Sequence, residues 1–520
     1  MIVGIDLGTS YSSVAALING RAVVIADEQG RTSHPSIIAF PPEGAVLAGH
    51  AARARLVVDP LHTIYSAKRL IGRRSDDPDV RAFHFAYPFR VAEGPNKNPV
   101  IEIRDRHYAI PEISAYVLRH LKKIAERALG VDIERAVVTV PANFNDAQRE
   151  ATRIAGRIAG LEVVRIINEP TAAALAYGYG RGLHRKVAIY DFGGGTFDVT
   201  LLEVTDRVFR VITTAGDMML GGDDFDQALA DHVHEAFWRK TKIELRHDMV
   251  EWQRLLFASE ACKRELSQKR EAELRVPRVA HIGGGAVDLA ARVTRDIFNG
   301  LTIELARRSL AVCDRALADA RLSAGDIDDV VLVGGSTHVP LVRAVVEQYF
   351  RQKPRTDVDP ETAVAVGAAI HAATLMGAPL PDQQAAALLL DVLPHSIGIA
   401  AAGGFTERVI DRGTAVPVEQ TRVFATGRDG QEEVRIVVVQ GESRYTRENT
   451  PLGELVVGGI RRASRGEVEI EVCFEVDQSG ILNLTARDRD SGRTHAKKIK
   501  LSGELTEAQI RDAQRSQEQH

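Results

Sequence analysis

The sequence predicts an α/β region of about 375 residues followed by an antiparallel β domain. Three observations carry this division. Short β-branched runs at 136–140, 187–190 and 330–333 alternate with helical stretches such as 113–129 and 224–240, a pattern of strands followed by helices that builds mostly parallel sheet. From about residue 376 the composition turns polar and breaker-rich, with Pro379 and Pro381 close together. Beyond it the helical pattern gives way to strict alternation over 467–477, with Val468, Ile470, Val472, Phe474 and Val476 on one face. Period-two alternation of that quality is a half-buried strand. Turn residues at 477–480 and 488–492 then mark hairpins. The domain boundaries read as 1–375, a linker over 376–395, a β domain over 396–502 and a short polar helical tail over 503–520.

Composition narrows the partners. Lys and Arg number 66 against 70 Asp and Glu, a formal balance of −4, so no basic surplus points to nucleic acid. The 45% hydrophobic and 26% charged shares are those of an ordinary globular chain. Cys262, Cys313 and Cys473 are far apart and form no disulfide framework or zinc pair. The start, MIVGIDLGTS, has no basic region and carries Asp6 inside its apolar run, unlike a signal peptide. The weakly polar stretch 363–380 is Ala/Gly-rich and reads as a core helix, because a spanning helix needs about 20 strongly apolar residues. A cytoplasmic protein is expected, with no membrane partner.

Three glycine-rich turns follow strand-like runs: Gly4 to Tyr11, Tyr190 to Asp198, and Leu332 to Thr337. Glycine lacks Cβ, so the N–H groups of such turns converge closely on a phosphate. In the first two an Asp ends the strand and a Thr follows the glycine, which suits hydrated Mg²⁺ beside phosphates. One such turn alone is commonly a tight βα connection. The repetition of Asp6 and Asp191 about one α/β lobe apart suggests instead two like lobes clamping one nucleotide. Neither a GxxxxGK P-loop nor a GxGxxG helix opening after the first strand is present.

The runs DLGTSY (6–11), AKRLIGR (67–73), VPANFNDAQR (140–149), INEPTAAALAYG (167–178), DFGGGTFDV (191–199) and LVGGSTHVP (332–340) together resemble the actin-type ATPase domain of the seventy-kilodalton heat-shock chaperones. LLLDV (388–392), VFAT (423–426), VVQGE (438–442) and GILNLTARD (480–488) resemble that family's linker and β-sandwich substrate domain. The resemblance covers nearly the whole chain, in order. It implies a two-lobed actin-like ATPase joined to a β-sandwich, with ATP or ADP and Mg²⁺ as cofactors and K⁺ as a further candidate. The implied partners are unfolded, extended polypeptides, a J-domain co-chaperone and a nucleotide exchange factor.

Site residues follow from the same resemblance. Lys68, Glu169, Asp191, Thr196 and Asp6 match the catalytic set, with Asp6, Asp191 and Asp198 around Mg²⁺, largely through water. An ammonium such as that of Lys68 can offset charge developing in phosphoryl transfer. Gly8, Thr9, Ser10 and Tyr11, with Gly193, Gly194, Gly195 and Thr196, match the phosphate turns. Glu260, Lys263, Arg264 and Ser267 share one helical face at i, i+3, i+4 and i+7. They match the adenosine clamp, faced by Gly335, Ser336, Thr337 and His338. The family usually has Arg where this chain has His338, and imidazole lacks the permanent charge and planar fork.

Pro141, Arg149 and the linker residues Leu388, Leu389, Leu390 and Asp391 match a relay between nucleotide and linker; Arg165, Asn168 and Asp391 match the J-domain contact. Ile399, Phe424, Val434 and Ile436 align with a cleft for an apolar peptide, and Ala402 and Gly427 stand where larger residues commonly arch over it. The tail stands where the family continues into a long helical lid. Two rivals share the fold: a small-molecule kinase, which has no use for the linker and β domain, and a non-catalytic assembly or exchange-factor-like protein, which the complete carboxylate and lysine set argues against.

Overall fold

The computed structural model describes residues 1–282, 285–377, 387–489, 494–497 and 505–518. Two mixed sheets dominate the α/β region, each built around a strand with an aspartate at or next to its end. In the first, Ile2–Asp6 runs parallel to Arg135–Val140 and antiparallel to Tyr11–Ile18. In the second, His184–Phe192 runs parallel to Asp329–Val333 and antiparallel to Phe197–Thr205. Both central strands thus turn back on themselves through a glycine-bearing loop, and the repeated turn of the sequence is a repeated strand arrangement. The interior residues Val3, Ile5, Val187, Ile189 and Tyr190 are fully buried.

The Ala/Gly-rich stretch is the helix Ala363–Leu375, buried as expected. Its composition has a steric reason: a Cβ on Gly367 would stand 1.7 Å from the Ala172 carbonyl oxygen, and one on Gly4 would stand 2.2 Å from the Ala369 nitrogen. Helix, neighbouring helix Glu169–Gly178 and first strand meet at backbone distance, which only small residues allow. Among the described residues no helix is long and apolar enough to cross a membrane.

The helices predicted over 113–129 and 224–240 are Ile110–Leu129 and Gly222–Thr241. The extra first turns come from Pro111 just inside one helix and from acidic residues at the start of the other, both favourable at helix N-termini.

The described part of the linker is a strand rather than a loose connection. Leu388, Leu389 and Leu390 pair in parallel with Val208, Phe209 and Arg210 of Val208–Asp217, so the linker extends the second sheet. Asp391 and Val392 then pair with Val416 and Ala415. Residues 378–386 of the predicted linker lie outside the described residues.

The β domain has two four-stranded sheets with a shared core. The alternating segment is the strand Glu469–Val476, and Val468, Ile470, Val472, Phe474 and Val476 are all fully buried. Each such side chain contributes roughly 1.5–3 kcal/mol on burial. The turn predicted at 477–480 closes with Gly480 N–H donating to the Asp477 carbonyl at 2.9 Å. The turn predicted at 488–492 lies largely outside the described residues, as do the boundary at 502 and residues 503–504.

The tail is the helix Glu507–Glu518, capped by the Thr506 hydroxyl. It docks on the first lobe: Ile510 and Ala513 are buried in that lobe's core, and Gln517 Nε2 donates to the Glu112 carbonyl at 2.9 Å. The sequence suggests only a polar helix start here, because Ile510 and Ala513 are too short an apolar stripe to signal docking.

Candidate nucleotide site

A cleft of about 790 Å³ lies between the two sheets. Its walls carry Asp6, Gly8, Thr9, Ser10 and Tyr11 from one lobe and Asp191, Gly193, Gly194 and Thr196 from the other. Close backbone approach fixes these turns. A Cβ on Gly8 would stand 1.9 Å from the Tyr11 carbonyl oxygen, and Gly334 holds φ +86° with the Phe192 carbonyl 2.4 Å from where its Cβ would be. Ser336 Oγ donates to the Gly193 carbonyl at 2.7 Å and so joins the third glycine turn to the second.

Lys68, Gly195, Asp198 and Thr337 stand behind this lining. The buried Lys68 ammonium donates to Glu169 Oε1 and to the Leu7 carbonyl, both at 2.5 Å. Thr337 is fully buried and its hydroxyl donates to the Gly334 carbonyl at 2.6 Å, so it supports the turn instead of facing the cleft. Asp198 Oδ1 accepts from Asn143 Nδ2 at 2.5 Å.

The carboxylates form one electrostatic unit. Burial, and then the Glu169 charge, push Asp6 up to about 7 and Asp198 up to about 7. Burial and the charges of Glu169, Asp198 and Asp6 hold Asp191 well above the usual carboxylate range. Three buried carboxylates and the half-buried Asp6 therefore face one ammonium, and a divalent cation would relieve the excess. Among the described residues no three His, Cys, Asp or Glu side chains form a direct metal cage. The donor set fits Mg²⁺, which keeps several waters and binds through one or two carboxylates plus substrate phosphates.

At the outer end of the cleft the helix Met249–Gln268 supplies Glu260, Lys263, Arg264 and Ser267 to the lining, as its spacing predicts. Arg264 Nη1 donates to the Tyr11 hydroxyl at 2.8 Å, and Lys263 Nζ donates to Asp226 Oδ2 at 2.7 Å and to the Gly222 carbonyl at 2.8 Å. Opposite are Gly335, Ser336 and His338. His338 is accompanied by Arg343, whose Nη2 stands 3.3 Å from His338 Nδ1 and which also lines the cleft. A guanidinium is therefore present beside the imidazole, one helical turn further along.

Sequence reasoning missed four residues here. Arg53 pairs with Glu260 at 2.6 Å across the cleft and also donates to the Tyr11 hydroxyl. Arg69 donates to the Gly195 carbonyl at 2.6 Å and ties the first lobe to the second phosphate turn. Arg343 and Asn143 complete the set. Arg69 and Asn143 fall inside quoted motifs, so a signal existed. Arg53 lies on the four-residue helix His50–Arg53, where nothing local marks it.

The relay residues meet at the domain junction. Arg149 is buried; it donates to Asn168 Oδ1 at 2.7 Å, to the Phe144 carbonyl at 3.0 Å and to the Ser479 carbonyl of the β domain at 3.3 Å. Pro141 begins the turn that carries Phe144, and the Lys68 ammonium lies 5.6 Å from the Phe144 ring centre. Asn168 Nδ2 donates to Asp391 Oδ2 at 2.7 Å, so two of the three predicted J-domain residues bond to each other, while Arg165 is half-buried nearby.

In the β domain Ile399, Val434 and Ile436 are buried in the sandwich core, and Phe424 is half-buried against it. Gly427 is exposed, its N–H donating to Gln431 Oε1 at 2.9 Å. Ala402 lies in the short turn Ala402–Gly404, and its side chain is outside the described residues.

Paired glycine turns, buried carboxylates and a strand linker into a β domain define a nucleotide-handling α/β protein with an appended β module. The family model described as Hsp70 protein matches residues 2–520, and the chain belongs to that family. At family level this makes it a chaperone with ATPase activity that binds ATP or ADP.

Proposed function

We propose that this chain is a cytoplasmic ATP-dependent chaperone that couples hydrolysis to binding and release of extended apolar polypeptide segments. The observation that carries the reading is the linker strand. Leu388–Val392 is hydrogen-bonded into the sheet whose hairpin bears Asp191, Thr196 and Asp198. A nucleotide bound between actin-like lobes would bias that pairing, and linkage requires the β domain to bias the nucleotide site in return.

In this reading the Lys68 ammonium and the second glycine turn stabilise charge developing on the transferred phosphoryl group, and Glu169 and Asp198 orient the attacking water. Asp6, Asp191 and Asp198 would hold Mg²⁺, largely through water, and the ion would neutralise charge on the phosphates. Arg264 and His338, with Arg343, hold the base. Phe424, half-buried over the core residues Ile399, Val434 and Ile436, would meet the apolar peptide, and the exposed Gly427 leaves that side open. Because Asn168 and Asp391 are bonded together, a J-domain partner that engages them competes with domain docking, and this favours hydrolysis with release of the linker.

Steady-state ATPase assays with an unfolded peptide and candidate J-domain proteins test the reading. Stimulation by peptide, raised further by a J-domain protein, is expected. An ATPase indifferent to both, or a protein that hydrolyses no ATP, overturns it.

A further inference from the structure

The turn 141–145 joins the strand Arg135–Val140 to the helix Asp146–Ile158, and contacts from the end of the linker and from the β domain converge on it and on the start of that helix. His395 Nε2 lies 3.3 Å from the Asn143 carbonyl oxygen, Arg149 Nη1 donates to the Ser479 carbonyl at 3.3 Å, Asp146 N–H donates to Gln440 Oε1 at 3.3 Å, and Leu482 N–H donates to Asp146 Oδ1 at 2.6 Å. Asn143 continues the path to a site carboxylate. Its side-chain amide crosses to the other lobe and donates to Asp198 Oδ1 at 2.5 Å, two residues beyond Thr196.

Asp198 is 1% exposed, so this bond replaces solvation that the carboxylate lacks. Gly216 makes room for the pair: a Cβ there would stand 2.0 Å from Asn143 Nδ2 and 2.2 Å from Asp198 Oδ1. Gly216 belongs to Val208–Asp217, the strand whose other end carries the linker. The carboxylate is therefore held by the Asn143 amide, in space left by a strand whose other end pairs with the linker.

We propose that Asn143 is a positioning residue for ATP hydrolysis, that it holds Asp198 in register with the site, and that His395, the last residue of the linker, restrains it by gripping its carbonyl while the domains are docked. This rests on the ATPase reading above. An amide neither donates nor accepts protons in the reaction, so Asn143 acts through Asp198. With His395 in place the 141–145 turn is pinned; when the β domain leaves, the turn and the carboxylate are free to shift together.

The test is a double-mutant cycle on the full chain, read by single-turnover hydrolysis and by ATP affinity. Asn143→Ala is expected to slow hydrolysis about tenfold while affinity changes less than about twofold, the size of effect typical for residues that orient a site from behind. Asn143→Asp, which keeps the shape but removes the donor, is expected to slow it at least as much. His395→Ala, which loosens the docked state, is expected to speed hydrolysis in the parent and to change nothing in the Asn143→Ala background, whereas His395→Gln, which retains a donor, stays near the parent rate. An unchanged rate in Asn143→Ala, or an equal effect of His395→Ala in both backgrounds, overturns this inference alone. A parent protein that hydrolyses no ATP overturns the ATPase reading and this inference with it.

Discussion

The Lys68 ammonium stands 2.5 Å from Glu169 Oε1, and the pair is buried beneath the cleft among Asp6, Asp191 and Asp198. It is the only ammonium or guanidinium in direct contact with that carboxylate group among the described residues. Lys68→Ala therefore removes both a catalytic charge and the partner of a buried carboxylate, a loss that typically costs about 3–5 kcal/mol. Hydrolysis is expected to fall by about 100-fold or more with ATP still bound. Thr196→Ala, which leaves the ion pair intact, is expected to slow hydrolysis strongly without the loss of stability. Single-turnover rates and melting temperatures on the two variants separate these effects; normal hydrolysis in both would defeat the assignment.

The linker strand makes a positional prediction. Leu388 is 52% exposed, whereas Leu389 is half-buried against the core between the sheets. Leu389→Asp should expel the strand and abolish peptide stimulation of the ATPase, with basal hydrolysis retained. Leu388→Ser, on the exposed side, should change stability by no more than about 0.5 kcal/mol and leave stimulation intact. Peptide-dependent turnover on the two variants gives the comparison, and equal loss in both would mean that composition rather than strand pairing matters.

Acid sensitivity should trace in part to His371. The ring is 6% exposed on the helix Ala363–Leu375, and neither nitrogen finds a hydrogen-bond partner among the described residues. Burial, aided by the Arg165 charge, pushes its pKa down to about 4. An unfolded chain holds histidine near 6.5, so between these values the unfolded state binds the extra proton. Stability is then present above that window and lost as pH falls through it, by about 2 kcal/mol between pH 7 and pH 5. His371→Leu should flatten the fall in melting temperature over that range. Parallel pH profiles for parent and variant would locate the sensitivity elsewhere.

Local signals were strong where the chain meets phosphate or solvent. The glycine turns at Asp6 and Asp191 and the alternation ending at Val476 are spelled out by neighbouring residues, and the structure places strands and turns there. Contacts between distant segments were not legible. Arg53 and Glu260 lie 207 positions apart, and Asn143 and Asp198 lie 55 apart, so no local period links them. The docking of Ile510 and Ala513 is likewise invisible in a polar helix, because its apolar partner surface is written some 400 residues earlier, around Glu112 and Gln517's contact with it.

The pairing of Leu388–Leu390 with Val208–Arg210 also has an aggregation consequence. While the linker is in place, the Val208–Asp217 strand is interior to its sheet. A linker that leaves exposes a raw sheet edge at 208–210, an open template for any extended chain in reach. Arg207 and Arg210 sit at that edge, and charged side chains are a common means of keeping such edges from pairing with a stranger. The switch that would free the β domain thus also uncovers an adhesive strip, and its two arginines make that strip a poor partner for a second copy of the same protein.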